Sequence, residues 1–256
     1  MKWLLISLLL LVGCAGGGKS ASTNNPPAQQ PDPDYLDSAR IHTELAAAYY
    51  SRRQYEVALE ELGLALRALP NHGPAYNMRG LVYMELKEDA KAAQDFSQAL
   101  RLNPNDPDAN NNYGWFLCQR DDPAKSIAYF TAALRNSLYT TPEKSLVNAG
   151  ICSRKANAPS NAENYFRQAL AIHPNQPQAL YHLADLSFQR DAFEESRAYL
   201  SRYVRADNPT AEALWLGVRT ERRLNDRGAE ASYAAQLCRR YPNSRECQAV
   251  KSGADR

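Results

Sequence analysis

Residues 75–104 read AYNMRGLVYMELKEDAKAAQDFSQALRLNP. Apolar residues recur at helical spacing over residues 75–86 and again over residues 90–102, which predicts two amphipathic helices joined by a short turn. Pro104 follows the second pattern, and a helix stops there because proline lacks an amide hydrogen and disfavours helical geometry before it. The stretch therefore predicts one helical hairpin.

The hairpin pattern occurs six times along the chain, with successive copies offset by 34, 34, 36, 34 and 33 residues. A small residue recurs on the first helix at Ala46, Gly80, Gly114, Gly150, Ala184 and Gly217. A second small residue recurs on the second helix at Ala58, Ala92, Ser126, Ala162, Ser196 and Ala229. A bulky residue follows four positions later at Leu62, Phe96, Phe130, Phe166, Leu200 and Tyr233. Between the copies lie Pro70, Pro104, Pro142, Pro174, Pro209 and Pro242, and we expect a helix to stop at each of them. Three columns in one register indicate an internal repeat.

Helix packing explains the three columns. Small residues on both helices let the two backbones approach, and the bulky residue fills the space beside that contact. Each hairpin then leaves an apolar face that only the next hairpin covers. We therefore predict an all-α solenoid with six hairpins over residues 38–242. A capping helix over residues 243–251, with Asn243 or Ser244 as its N-cap, and a tail to residue 256 complete the chain.

The 34-residue unit resembles the tetratricopeptide repeat, and the resemblance covers residues 39–242 as six consecutive copies. The copy containing Gly80, Ala92, Phe96 and Pro104 fits the pattern best. The resemblance implies a right-handed superhelix whose first helices line a concave inner side. It also implies a protein-binding scaffold.

In such a superhelix, side chains of the first helices that lie outside the small-residue column point into the groove. We predict a partner-binding groove formed by Tyr50, Asn77, Leu81, Met84, Asn111, Trp115, Tyr181, Phe188 and Trp215. Leu81, Trp115 and Trp215 are equally compatible with a place in the core, because the groove and the contact between helices are one helical step apart.

Some tetratricopeptide proteins hold a peptide C-terminus with Lys, Asn and Arg at fixed groove positions. Thr43, Ala47 and Met78 occupy the corresponding places in the first two copies. An apolar or aromatic groove that takes a peptide or a helix fits this chain better.

The N-terminus predicts export and lipidation. Lys2 precedes an apolar run over residues 3–12, which is too short to span a bilayer but suits an export signal. Residues 11–14 read LVGC and resemble the bacterial lipobox, which implies a signal peptide over residues 1–13 and a lipid on Cys14. Ala15, in place of Asp, implies the outer membrane and its periplasmic face. The alternative is an ordinary secretory signal with an incidental cysteine.

Residues 14–37 are rich in Gly, Ser, Asn, Gln and Pro, and they predict a flexible linker between the lipid and the folded repeats. Four further cysteines remain, and an exported location allows them to oxidise. Cys118 and Cys152 fall on neighbouring first helices, and Cys238 and Cys247 fall on the last repeat helix and the capping helix. We predict one disulfide for each pair, the alternative being buried thiols.

Composition disfavours several classes of function. The chain has 256 residues, and 30 Lys and Arg against 28 Asp and Glu give a net charge of +2, too balanced for nucleic-acid binding. The four His show no metal-ligand spacing, and no nucleophile elbow or Gly-rich dinucleotide loop is present. We therefore predict neither an enzyme nor a metal site, and no cofactor or small-molecule substrate other than the covalent lipid.

A more specific resemblance is carried by four segments: residues 111–118 (NNYGWFLC), Leu138-Tyr139 with Pro142, residues 148–150 (NAG), and residues 184–186 (ADL) with Phe193. They resemble the type IV pilus biogenesis lipoproteins called PilF or PilW. The resemblance implies a pilotin, an outer-membrane protein that binds subunits of the pilus secretin and promotes their localisation and multimerisation. An adaptor for cell-wall hydrolases or for outer-membrane protein assembly, or an enzyme without a recognisable motif, would be the alternatives.

Overall fold

The structure is a computed structural model that describes residues 33–120, 122–206 and 208–253. The predicted signal peptide, Cys14, residues 15–32 of the predicted linker and the last three residues lie outside the described residues. The described part contains no strand and thirteen α-helices. They are α1 Pro33–Ser51, α2 Tyr55–Ala68, α3 Gly73–Glu85, α4 Asp89–Leu102, α5 Pro107–Gln119, α6 Pro123–Leu134, α7 Pro142–Lys155, α8 Pro159–Ile172, α9 Pro177–Gln189, α10 Phe193–Ala206, α11 Ala211–Arg223, α12 Arg227–Arg240 and α13 Arg245–Ser252. The prediction of an all-α repeat fold is confirmed.

The helices form six hairpins in chain order, from α1 with α2 to α11 with α12. Each second helix packs on the first helix of the next hairpin, and the first helices of successive hairpins also contact one another. The backbones of neighbouring second helices lie further apart within the described residues, and long side chains join them, as where Arg167 of α8 pairs with Glu195 of α10 at 2.9 Å. The first helices α1, α3, α5, α7, α9 and α11 therefore line one side of the stack, which we call the inner face.

A glycine on the first helix lies directly against an aromatic ring of the second helix in four hairpins. A Cβ atom at Gly80 would come within 2.8 Å of the Phe96 ring, and one at Gly150 within 2.5 Å of the Phe166 ring. Gly217 meets Tyr233 at 2.5 Å, and Gly114 meets Phe130 less tightly, at 3.0 Å. Real Cβ contacts are essentially never shorter than 3.0 Å, so glycine is required at Gly80, Gly150 and Gly217, whereas at Gly114 a methyl group fits only if the ring shifts.

The first and fifth hairpins use a different pair for the same contact. Ala46 and Ala184 replace glycine on the first helix, and the partners on the second helix are Leu62 and Leu200. All four side chains are fully buried. Alanine thus accompanies leucine, and glycine accompanies an aromatic ring, which keeps the summed volume of the pair nearly constant.

Helix starts follow the expected polar and proline signals. Asp106 Oδ1 accepts a hydrogen bond from the Ala109 amide at 2.9 Å, and Asp226 Oδ1 caps α12 at 3.0 Å. Pro142 differs from the other inter-repeat prolines because it opens α7 at the first helical position, where its missing amide hydrogen costs nothing. The prediction that a helix stops at Pro142 was therefore wrong.

The first helix begins earlier than the sequence predicts. The linker was expected to extend to residue 37, but α1 starts at Pro33, so that boundary was wrong. Pro33 has a preset helical φ, and Asp34 lies in the first turn, where the helix dipole favours negative charge. Arg40 pairs with Asp37 at 3.3 Å and with Glu44 at 3.0 Å, which adds support along the helix.

Both predicted cysteine pairs are disulfide-bonded. Cys118 on α5 joins Cys152 on α7 with a Cα–Cα distance of 5.8 Å, and closing this 34-residue separation stabilises the fold by about 3–4 kcal/mol on the chain-entropy model. Cys238 joins Cys247 of the capping helix α13. Ser244 caps α13, accepting a hydrogen bond from the Cys247 amide at 3.1 Å.

The contact between Gly150 and Phe166 generates the first prediction. We expect Gly150→Ala to lower the free energy of unfolding by about 1–3 kcal/mol, because the added methyl group overlaps the ring. Adding Phe166→Leu should recover much of this loss, since the double variant has the pair found in the first and fifth hairpins. Urea unfolding followed by circular dichroism measures both effects.

The control is Gly63→Ala in the interior of α2, where the new Cβ would meet only the end of the Arg67 side chain, at 3.4 Å. This change should stabilise by about 0.5–1 kcal/mol through helix propensity. Wild-type stability in Gly150→Ala would contradict the packing explanation.

Candidate partner-binding face

All nine residues predicted for the groove lie on first helices, and eight of them are partly buried on the inner face or beside it. The members are Tyr50 on α1, Asn77, Leu81 and Met84 on α3, Asn111 and Trp115 on α5, Tyr181 and Phe188 on α9, and Trp215 on α11. The structure thus distributes them along the whole stack and does not collect them at one point.

Leu81, Trp115 and Trp215 could each lie either in the core or in the groove, and the structure places each of them partly in both. Leu81 packs against the apolar cluster of the first two hairpins and against the cluster between the second and third hairpins. Trp115 packs beside the Cys118–Cys152 disulfide, and Trp215 packs beside Leu214. Each is partly exposed, so each anchors a joint between helices and also contributes surface to the inner face.

Asn111 differs from the prediction because it is buried and does not present a free side chain. Its Oδ1 accepts hydrogen bonds from Ser145 Oγ and Asn148 Nδ2, both at 3.0 Å. Its amide nitrogen donates to Asn112 Oδ1 at 3.2 Å, and Asn112 donates to Asn77 Oδ1 at 3.2 Å. A buried amide needs such partners, and here they join α3, α5 and α7 in one polar network. Of its members, the groove prediction included Asn77 and Asn111 but missed Asn112, Ser145 and Asn148.

Tyr50 lies at the end of α1, where the first two hairpins meet. Its hydroxyl donates to Glu85 Oε1 across a long 3.5 Å contact, and its ring packs against Tyr55 at a centroid distance of 5.8 Å. Burial, followed by the charge of Glu85, raises the pKa of Tyr50 to about 12. The phenol is therefore a neutral hydrogen-bonding group at physiological pH.

A charged group on α7 and α9 was not predicted from the sequence. Arg154 forms an ion pair with Asp185, and its Nη1 lies 2.9 Å from His182 Nδ1. Because arginine can only donate, His182 Nδ1 accepts and the imidazole is neutral. The ring stacks on Phe166 with centroids 4.9 Å apart. Burial, with the positive charge of Arg154 second, lowers the pKa of His182 to about 4.

A cavity of about 400 Å³ opens beside this group, between α9, α10 and α11. It is lined by Pro177, Gln178, Tyr181, His182, Tyr203, Thr210 and Glu212. Burial raises the pKa of Tyr181, so its phenol also stays protonated. The cavity offers aromatic surface with a few polar groups, which suits a side chain of a bound peptide.

In the ranges that the structure covers, no group of three or more His, Cys, Asp and Glu residues could hold a metal ion. In the same ranges, no helix has both the length and the apolar character that a membrane span needs. The inner face presents amides, phenols, aromatic rings and ion pairs, which are groups found in protein–protein contacts.

His182 generates the second prediction. Its pKa is about 4 in the folded chain and about 6.5 when unfolded, so its contribution to stability is complete above pH 6.5 and is lost as pH falls towards 4. At pH 5 this loss amounts to about 2 kcal/mol. We expect His182→Gln to lose less stability than the wild type between pH 7.5 and pH 5, as measured by urea unfolding. Equal losses in both proteins would refute the burial of a neutral imidazole.

Comparison with known proteins places the repeats in a family. Sequence profiles of the tetratricopeptide repeat match residues 153–216, 73–106 and 96–128. The type IV pilus assembly protein PilF of Pseudomonas aeruginosa is 34% identical over 116 residues, which are 44% of this chain and 45% of that protein. The aligned region therefore spans less than half the length of this curated relative.

Two solved structures extend the similarity over most of the chain. PilW, a widely conserved type IV pilus biogenesis factor, is 36% identical with a TM-score of 0.75, over 83% of this chain and 98% of PilW. Pseudomonas aeruginosa PilF superposes with a TM-score of 0.79 at 26% identity, over 86% of this chain and 99% of PilF. The chain therefore belongs to the tetratricopeptide-repeat family of type IV pilus biogenesis factors that includes PilW and PilF.

Proposed function

We propose that this protein is an outer-membrane lipoprotein that binds subunits of the type IV pilus secretin and promotes their localisation and multimerisation. The observation that carries the proposal is the similarity to PilW, at 36% identity over nearly the whole of that chain. Repeats of this family bind proteins, so the partner is a protein of the pilus machinery and not a small molecule or a nucleic acid.

The N-terminal sequence supplies the membrane attachment in this proposal. A lipid on Cys14, within the lipobox-like residues 11–14, would hold the protein at the periplasmic face of the outer membrane. Several acyl chains anchor durably, since each buried methylene contributes about 0.8 kcal/mol. If the linker expected from composition is a random coil, residues 15–32 would span about 25 Å and would let the repeats reach a partner beside the membrane.

The inner face supplies the binding surface. It combines partly buried aromatic residues, which favour tight apolar contacts, with amides that can pair with a peptide backbone. The Cys118–Cys152 disulfide and the asparagine network hold α5 and α7 together. A face with this rigidity loses little conformational entropy when a partner binds.

Deletion and complementation in the source bacterium test the proposal. Deletion should reduce secretin multimers in the outer membrane and abolish pili, and the wild-type gene should restore both. Cys14→Ala should keep its helical circular-dichroism spectrum but leave the outer membrane and fail to restore the multimers. Abundant multimers and normal pili in the deletion strain would defeat the proposal, and co-purification with cell-wall hydrolases would then favour an adaptor role.

A matched pair of variants assigns the binding to the inner face. Tyr50→Ala removes a partly buried phenol from the inner face, whereas Leu64→Ala removes an exposed side chain from the second helix α2. We expect the first change to lower the yield of secretin that co-purifies with the protein and the second to leave it unchanged. Equal yields would place binding elsewhere.

A further inference from the structure

Three arginines converge at the C-terminal end of α11, on the joint between the fifth and sixth hairpins. Arg219, Arg222 and Arg223 face Phe188 at the end of α9. Together these four side chains line a cavity of about 210 Å³, which we call the arginine cleft.

Aromatic rings hold two of the guanidinium groups in place. Arg219 Cζ lies 4.4 Å from the centroid of the Phe188 ring, and Arg223 Cζ lies 4.2 Å from that of Phe193. The two rings contact each other edge-on at 5.4 Å. Stacking fixes a guanidinium plane while leaving its in-plane N–H donors available for other partners. The cleft is therefore prepared to donate hydrogen bonds to a flat acceptor.

Arg219 differs from its two neighbours in its carboxylate contacts. Arg222 Nε donates to Glu230 at 2.8 Å, and Arg223 pairs with Asp191 at 3.2 Å. Within the described residues, no carboxylate oxygen lies within 4 Å of the Arg219 guanidinium, which stacks on the Phe188 ring. The N–H donors of Arg219 therefore have no carboxylate acceptor among the described residues.

Arg219 lies on the side of α11 that meets the fifth hairpin. Gly217 faces Tyr233 of α12, and a residue two positions further along a helix is turned by about 200°. Arg219 is therefore directed away from α12 and stacks on Phe188 of α9. Val82 and Cys152 hold the same register in earlier hairpins and are buried against the preceding hairpin. The cleft is thus recessed between two hairpins beside the inner face, where a peptide side chain or chain end fits better than a flat bilayer surface.

We propose that the arginine cleft binds a carboxylate of a partner protein segment, with Arg219 as its main hydrogen-bond donor. A carboxylate matches the fork of the Arg219 guanidinium and would neutralise its charge. The carboxylate belongs either to an acidic side chain or to a C-terminus, and the two share this chemistry. This proposal rests on the proposed function, because the cleft lies beside the inner face, which is the proposed docking surface. It deepens that function by naming the chemical group that is bound.

The test uses the full-length protein in a neutral detergent, with NMR signals of isotope-labelled arginine side chains as the readout. Three probes are titrated at low ionic strength: a peptide of five glutamates blocked at both ends, the matching blocked five-glutamine peptide, and five glutamines with a free C-terminal carboxylate. At least one of the two carboxylate-bearing probes should shift the Arg219 Nε–H signal. The blocked glutamine peptide should not shift it.

Variants then separate the cleft from general charge attraction. Arg219→Gln should weaken binding at least tenfold, and Arg219→Lys should also weaken it, because an ammonium group lacks the planar fork. Arg239→Gln removes the same charge from an exposed position on α12 and should change the affinity less than twofold. Circular dichroism verifies that each variant remains helical.

Three results would overturn the proposal: equal weakening by Arg219→Gln and Arg239→Gln, no response of Arg219 to either carboxylate-bearing probe, or binding of phosphatidylglycerol vesicles through Arg219 in place of the peptides. The assay contains no secretin. Its failure is therefore distinguishable from failure of the proposed function, which is read from secretin multimers in cells.

Discussion

In every hairpin, a small residue of the first helix lies against a bulky residue of the second helix, and this contact sets the distance between the two backbones. Where the bulky residue is aromatic, the small residue is glycine, and at Gly80 an added Cβ would collide with the Phe96 ring. Where it is leucine, alanine fits. The contact fixes the shape of each hairpin, and the stacking of six similar hairpins places all first helices on the inner face.

Several polar and charged side chains of the candidate site form their contacts between hairpins. The asparagine network joins three first helices, and Arg154 of α7 reaches Asp185 of α9. Between the fifth and sixth hairpins, Arg197 pairs with the buried Glu221 of α11. None of these groups forms within one hairpin, so the candidate site is a property of the stack. Membership of a pilus biogenesis family and candidate residues that lie on several repeats both support the proposal that the inner face binds an extended protein segment.

The repeat columns predicted the fold because each column reflects a contact inside one repeat. The candidate site was less predictable, because its contacts cross between repeats. No pattern in the sequence indicates that Asn111 turns inward to Asn148 or that Arg219 stacks on Phe188. Polar residues beside the small-residue column, such as Asn112, were the available signal. The left-handed backbone at Arg53 and Lys87, in the turns of the first two hairpins, was also unpredictable, since neither residue type favours positive φ.

The most direct test replaces the alanine–leucine pair of the fifth hairpin by a glycine–phenylalanine pair. Leu200→Phe alone should destabilise the protein, because the new ring meets the Cβ of Ala184. Combining it with Ala184→Gly recreates the pair of the second hairpin and should restore a free energy of unfolding within about 1 kcal/mol of the wild type, apart from the helix-propensity cost of glycine. Urea unfolding of the two variants decides the matter. A single variant as stable as the wild type, or a double variant with no recovery, would contradict the account.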